Sequence, residues 1–337
     1  MKRIRTASML SAVVLVITAC ATGDSGKPAT TASEPRLSQL PPVVNPETNP
    51  TTPEKVVLGA KLWIDKRLSG SGNQACTTCH VREKGWTDGE TLSRKDNGDL
   101  NTRHSPTMYN IGYSSNYYWD GRAATLEGQV LAAWRLQIYG DPPKVAEKLA
   151  AVPGYAAEFQ KVFGGPPTQD TIVKALAAYL RAKVSGDSPW DRHEKGQKGA
   201  VSADAQAGFL LFMGKGRCAI CHTPPVYSDF NFHNIGLEAG KAKPDIGRGN
   251  VTKKPEDMSA FKTPTLRSVA ISGPYFHDGS RKTLEEAVRF MASGGGKDPN
   301  KTAQLVDTGL SDQEIKQIVA FLTALTSDEP YTPPKLP

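Results

Sequence analysis

The chain has 337 residues, 38% hydrophobic and 22% charged, a balance that suits a soluble globular protein with room for two or more domains. Its formal charge of +7 includes Lys2, Arg3 and Arg5 of an N-terminal leader, and without them falls to about +4. No basic cluster is interleaved with aromatic residues, so composition gives no support to a nucleic-acid partner.

Residues 1–19 read as a secretory signal, a short basic start followed by the apolar run Met9 to Ile17, which is too short for a comfortable membrane span. The run ends at Ile17-Thr18-Ala19-Cys20, which resembles a bacterial lipobox. In that pattern the cysteine becomes the lipidated first residue of the mature protein. The alternative is plain cleavage near Ala19 or Ala21. Lipidation also accounts for the fifth cysteine, otherwise an odd thiol in an exported chain. Ala21 gives no inner-membrane retention signal, so either membrane stays open. Residues 20–52 are rich in Pro, Thr, Ser and Asn without apolar periodicity and predict a flexible tether. The body would then face the periplasm, with the N-terminal lipid as its membrane contact.

From Gly59 to Leu68 a short helical pattern opens the body, with Leu58, Leu62 and Trp63 on one face. A loop then leads to Cys76-Thr77-Thr78-Cys79-His80. Two thiols three apart, with histidine directly after, form the attachment pattern of c-type haem. Each thiol can add across one vinyl group of a single porphyrin, and the imidazole is then an axial donor to its iron. The pattern recurs at Cys218-Ala219-Ile220-Cys221-His222. A four-thiolate zinc site would explain the cysteines, but not why histidine follows each pair. Two covalent c-type haems are the expectation. Between the motifs, residues 82–103 read as loop.

An internal echo follows. Pro106-Thr107 precedes Asp120-Gly121 and Thr125-Leu126-Glu127, and Pro264-Thr265 precedes Asp278-Gly279 and Thr283-Leu284-Glu285 at the same spacings. A constant offset over three blocks predicts duplicated domains. In each, Asp-Gly makes a turn and Thr caps a helix. Each half closes on an amphipathic helix, over 170–184 and over 311–325, the second opened by a Ser311/Glu314 capping box. Residues 185–199 read as a linker. Strand-like alternation is scarce. The predicted fold is mainly α, two cytochrome c-like helical domains, each carrying one covalently attached haem.

With these motifs the chain, from about Leu58 to Leu325, resembles the bacterial dihaem cytochrome c peroxidase and MauG family. The carrying residues are both haem motifs, Arg103-His104-Ser105-Pro106-Thr107, Trp119-Asp120-Gly121-Arg122-Ala123, Pro153-Gly154-Tyr155, Phe232-His233-Asn234-Ile235-Gly236, Pro264-Thr265-Leu266-Arg267 and Pro274-Tyr275-Phe276-His277-Asp278-Gly279. The resemblance implies a peroxidatic N-terminal haem on His80 and a low-spin electron-receiving haem on His222. It places Met291 as the second axial ligand of the latter, and Trp119 as the tryptophan coupling the two. Gln129 falls where the family has a distal glutamine that orients peroxide.

The family glutamate expected about ten residues on is missing: counting from Trp119 gives Tyr139, and counting back from Pro153 gives Gln137, with Asp141 and Glu147 as nearby carboxylates. The loop after the first motif also lacks the family's removable histidine, as in MauG-like members. His104 replaces an asparagine that helps bind calcium between the domains, with Ser272 and Pro274 as carbonyl donors. Imidazole is a poor ligand for that cation, so calcium is a candidate that this residue disfavours. Arg122 and Arg248 are candidates to pair haem propionates, or ordinary surface pairs. His193 reads as solvated, and His233 and His277 as loop or propionate fixers.

The domains expected are 1–19 signal peptide, 20–52 lipidated tether, 53–184 peroxidatic haem domain, 185–199 linker, 200–327 electron-transfer haem domain and 328–337 tail. The function expected is reduction of hydrogen peroxide with electrons from a small cytochrome c or cupredoxin. The alternatives are oxidation of Trp or Tyr on a partner protein, as MauG-like members do, or electron carriage alone.

Overall fold

In the computed structural model the chain is described at residue 37, residues 39–327 and residues 329–337. The signal peptide and the lipobox cysteine expected from the sequence lie outside the described residues. The fold is mainly helical. Helices α1 (Pro53–Ile64), α2 (Cys76–Cys79), α3 (Leu126–Leu136), α4 (Pro142–Ala150), α5 (Pro153–Phe163) and α6 (Gln169–Arg181) build the N-terminal half. Helices α7 (Pro189–Glu194), α8 (Ala203–Met213), α9 (Gly249–Thr252), α10 (Leu284–Ala292) and α11 (Asp312–Ala324) build the C-terminal half. The one sheet among the described residues is a two-residue antiparallel pair, β1 (Phe232–His233) and β2 (Phe261–Lys262), with Phe232 opposite Lys262.

Local sequence explains where the helices start. Thr52 caps α1 by accepting from Lys55 N–H, and Pro53 occupies the first turn, where its missing N–H costs nothing. Thr125, Thr283 and Ser311 cap α3, α10 and α11 through side-chain oxygens, the last two within capping boxes. Two apolar cores result. One gathers Leu58, Leu62, Trp63, Tyr155, Phe159 and Leu176, and the other Trp190, Phe212, Tyr227, Ile318, Phe321 and Leu322. Each fully buried large side chain of this kind stabilises the fold by about 1.5–3 kcal/mol.

The halves repeat one another in their joints. α1 crosses α6 at Gly59, where a Cβ would lie 2.1 Å from the Ala175 carbonyl oxygen, and α8 crosses α11 at Gly208, where a Cβ would lie 1.9 Å from that of Gln317. Only glycine permits backbones to pass this closely. The Asp-Gly turns match as well. Tyr117 bridges Ala123 and Tyr275 bridges Arg281, with Gly121 at φ 67° and Gly279 at φ 62°.

Three segments differ from the sequence reading. The opening helix runs Pro53–Ile64 instead of from Gly59, and a separate turn of 3-10 helix covers Lys66–Leu68. Asp65 makes the break, because its carboxylate accepts from Arg67 N–H and from the Tyr155 hydroxyl. The expected linker contains α7, whose Trp190 is buried in the second core and whose Asp191 pairs with the buried Arg267 at 2.9 Å. His193, expected to be solvated, packs on Trp190 with ring centroids 5.2 Å apart. The C-terminal part of the expected tether lies on the body: Asn49 is buried and donates to Glu127 Oε1 at 2.7 Å and the Lys174 carbonyl at 3.0 Å. A polar side chain with both bonds satisfied can be buried where apolar periodicity gives no signal. Among the described residues no helix is long and apolar enough to cross a membrane.

Candidate active site

Two cavities lie beside the two cysteine-histidine motifs. α2 places Cys76 and Cys79 on the wall of the first, with His80 directly after, facing Trp63 of α1, Leu176 and Leu180 of α6, and one face of α3. That face carries Gln129, Val130, Ala133, Trp134 and Gln137, the spacing of a single helical stripe. The cavity spans about 590 Å³, part of it open to solvent. The second encloses about 1410 Å³, part of it open to solvent, and is lined by Cys218, Cys221, His222 and the α10 stripe Leu284, Ala287, Val288 and Met291. Met291 therefore shares a cavity with His222 because Thr283 starts α10 in a register that turns positions 284, 287, 288 and 291 inward.

The two histidines are held alike. His80 Nδ1 lies 2.9 Å from the Trp86 carbonyl oxygen, and His222 Nδ1 lies 2.9 Å from that of Tyr227. A carbonyl only accepts, so Nδ1 carries the proton and donates, and Nε2 keeps its lone pair. A second bond of this kind fixes the tautomer and orientation of a ligating histidine. Burial lowers the pKa of both imidazoles, which keeps them neutral, as an axial donor must be. Burial pushes Cys76 and Cys218 up to about 12 and Cys79 to about 11, so these thiols are protonated near neutral pH and poorly suited to serve as free nucleophiles.

The first cavity fits a polar-edged cofactor with a reactive face. Trp63 Nε1 and Gln129 Oε1 are buried there without a hydrogen-bond partner, an arrangement that costs free energy unless something in the cavity meets them. The thiol pair, the neutral imidazole and these two orphaned polar atoms fit a haem, whose polar groups or small ligands would meet them. In the second cavity the thiol pair, His222 and Met291 offer one nitrogen and one thioether donor within a mostly apolar wall.

The other sequence candidates are distributed unevenly. Gln129 and Gln137 both line the first cavity. Tyr139 does not; it is 41% exposed, at φ 50°. Asp141 caps α4 and pairs with Lys144, and Glu147 is exposed, so no carboxylate lines the first cavity among the described residues. Trp119 lines the second cavity and not the first; its Nε1 donates to the His104 carbonyl at 2.8 Å. Arg122 pairs with Asp120 at 3.0 Å and lies over the Tyr118 ring at 3.6 Å. Arg248 donates to the Asp120 and Gly121 carbonyls. Neither arginine lines either of these two cavities.

His233 bonds Asp229, and His277 bonds Glu238 at 2.8 Å while stacking on Phe261, so both fix loops. His104 is buried, its Nδ1 bonded to the Glu90 carbonyl and its Nε2 without a partner. That donor set does not fit calcium, a hard cation that prefers six to eight oxygens.

Sequence reasoning passed over Lys262. It lines the second cavity, and its ammonium donates to Ser114 Oγ at 3.0 Å and the Asn116 carbonyl at 2.6 Å. Burial pushes it down to about 8. A half-buried cation beside an apolar cavity is suited to an anionic edge of a ligand. Its place two residues before Pro264-Thr265 was the available signal.

The family model described as di-haem cytochrome c peroxidase matches residues 53–199. The chain is 38% identical to cytochrome-c peroxidase IdrP1 of Denitromonas iodatirespirans, over 100% of this chain and 98% of that protein. It is also 38% identical to methylamine utilization protein MauG of Methylorubrum extorquens, over 95% of this chain and 92% of that one. Among solved structures it resembles a MauG-like protein associated with microbial copper homeostasis, with a TM-score of 0.81 and 30% identity over 89% of this chain and 96% of that one. Paired cysteine-histidine cavities, a helical body and this likeness along its length converge: the chain belongs to the di-haem cytochrome c peroxidase family and is an oxidoreductase of the cytochrome-c peroxidase type.

Proposed function

We propose that this protein reduces hydrogen peroxide to water at the first cavity, with electrons received at the second from a small cytochrome c or cupredoxin. Cys76 and Cys79 would bind one haem covalently, with His80 as a nitrogen donor to its iron; Cys218 and Cys221 would bind the other, with His222 and Met291 as its nitrogen and thioether donors. The haems would supply one-electron redox chemistry, and Met291 suits an electron-receiving centre because thioether ligation raises its potential. What carries the reading is the difference between the matching helical stripes: eight residues after its cap, α10 puts Met291 on the second cavity's wall, where α3 puts Ala133 on the first, flanked by Gln137 and by Gln129 with its unpartnered carbonyl oxygen; Met108 lines the first cavity from outside that helix.

The chain's own groups divide the work. Gln129 and Gln137 orient the peroxide, accepting through Oε1 and donating through Nε2. A carboxamide is not a base, so neither glutamine takes up the proton that must pass between the peroxide oxygens. The buried Trp63, Leu176 and Leu180 shield the proximal side. Trp119 stands on the second cavity's wall as the group through which electrons cross. Lipidation at Cys20 would hold the body at the periplasmic face of the membrane, and C20S would then move it from the membrane to the soluble fraction.

A second reading, oxidation of Trp or Tyr on a partner protein, is favoured by one observation: residues 81–103, the loop after the first motif, contain no histidine that could close the first haem site. Stopped-flow mixing of peroxide with the dihaem protein separates the two. With a pre-reduced small cytochrome as donor, two equivalents oxidised per peroxide and a first haem that is high-spin at rest support the peroxidase. A long-lived oxidised state that the cytochrome does not quench supports the second reading. A first haem that is low-spin both at rest and after half-reduction overturns both.

A further inference from the structure

Trp86 and Tyr227, whose carbonyls hold the two motif histidines, share a conformation. Both are aromatic residues in the left-handed region, at φ 62° and φ 54°. A side chain with a Cβ costs about 1 kcal/mol or more there, so packing around the ring has to hold each residue in place. The two halves supply that packing differently. The Tyr227 ring is enclosed by its own half: Phe212 at 5.9 Å, Phe321 at 5.8 Å and the Arg267 guanidinium at 5.7 Å. The Trp86 ring has Tyr109 from its own half at 6.4 Å, and its remaining aromatic neighbour is Tyr331 at 5.6 Å, edge-on.

Tyr331 comes from the last seven residues of the chain. That tail returns to the N-terminal half, where the Pro337 carbonyl accepts from Arg67 and the Arg82 guanidinium lies 5.7 Å over the Tyr331 ring. Lys183 closes the group, its ammonium 4.0 Å from the Tyr179 ring, 4.8 Å from Trp86 and 5.5 Å from Tyr331. Tyr331 therefore touches both Arg82 and Trp86, near the two ends of the short loop that leaves His80 and turns back to bond it.

We propose that Tyr331 is a positioning residue for His80: it holds the Trp86 ring, and through it the carbonyl that accepts from His80 Nδ1. The proposal rests on the reading of His80 as a haem ligand. The partner of Nδ1 sets how strongly Nε2 donates to iron. Loosening that carbonyl weakens donation and favours the reduced iron, so the potential of the first haem rises. The second haem serves as the comparison, because Phe212 and Phe321, which pack on Tyr227, come from its own half.

The test compares Y331A, Y331F and the unaltered dihaem protein by redox titration and by resonance Raman of the ferrous state. In Y331A the first haem's potential should shift upward and its iron–histidine stretch downward, with the second haem unchanged. Y331F, which keeps the ring, should restore both. Y331L fills volume without an aromatic face and is measured the same way, so that poor folding of Y331A leaves the comparison intact. Equal values in all variants, or a parallel shift of both haems, would overturn the positioning role. Loss of haem on a denaturing gel of the unaltered protein would instead overturn the haem reading itself.

Discussion

At the scale of single residues, two carboxamides, Gln129 and Gln137, line the first cavity, and the proposed peroxide chemistry there sets a directional prediction. A positioned general acid–base group contributes about 10²–10⁴-fold to a rate. Q137E would place such a group on the cavity wall where Gln137 now stands. Peroxide turnover should rise at least about tenfold, and an unchanged rate would mean that position 137 does not reach the bound peroxide. Q129A removes an orienting group and should lower kcat by about 10²-fold, the scale found for losing one preorganised hydrogen-bonding group. Met291 is tested by ligand stoichiometry: M291A should open the second haem, so that the reduced protein binds two equivalents of carbon monoxide where the unaltered protein binds one. A count that stays at one would remove Met291 as a ligand.

At the scale of elements, the two glycine crossings fix how closely the helices around each cavity can approach. G208A exchanges glycine for a residue about 1 kcal/mol better in a helix. The new methyl group would sit 1.9 Å from a backbone oxygen of α11, which cannot rotate aside as a side chain can. Overpacking of this kind costs about 1–3 kcal/mol, so the steric term should win and denaturant midpoints should fall. A rise in stability would show that the α8–α11 contact is looser than the structure has it. α7 offers a second test. Trp190 packs against Phe209 at 4.6 Å and Phe321 at 4.9 Å, so W190A should cost about 3–5 kcal/mol, which a mere linker would not.

At the scale of the whole molecule, charged groups far apart in the chain meet between the residues that follow the first motif and those that follow the second. Arg103 pairs with Asp120 and with Asp245, each at 2.7 Å, and Glu238 holds His277 and Lys241. Burial raises the carboxyl pKa of Asp245, but the Arg103 guanidinium and the Gly247 N–H outweigh it and hold it below the ordinary range. Burial likewise opposes Glu238, and His277 and Lys241 prevail. Carboxylates depressed in the folded state bind protons less readily than in the unfolded chain. Their contribution is therefore complete above the unfolded value of about 4 and is lost as pH falls through the folded values. The part of the stability that these carboxylates supply should be complete above about pH 5 and fall steeply below about pH 4. D245N should flatten part of that slope in chemical denaturation, and an identical slope would place the acid sensitivity elsewhere.

The sequence by itself determined what depends on neighbours along the chain. Two Cys-x-x-Cys-His stretches, threonine and serine caps, and a helical stripe ending at Met291 are local patterns, and local geometry turns each into one side of a cavity. Tertiary structure decided whatever depends on groups that meet from distant positions or through the backbone. The carbonyls of Trp86 and Tyr227 leave no mark in residue identity, because every residue has one. Asp141 and Glu147 turned outward because α4 buries Val145 and Leu149 instead, which spacing from Trp119 or Pro153 could not reveal. The polar residues before α1, the helix inside the expected linker and the returning tail carry no apolar periodicity that would assign them to the core. Burial is a property of where a segment lands, and a short segment can find its partners across the fold without any periodicity of its own.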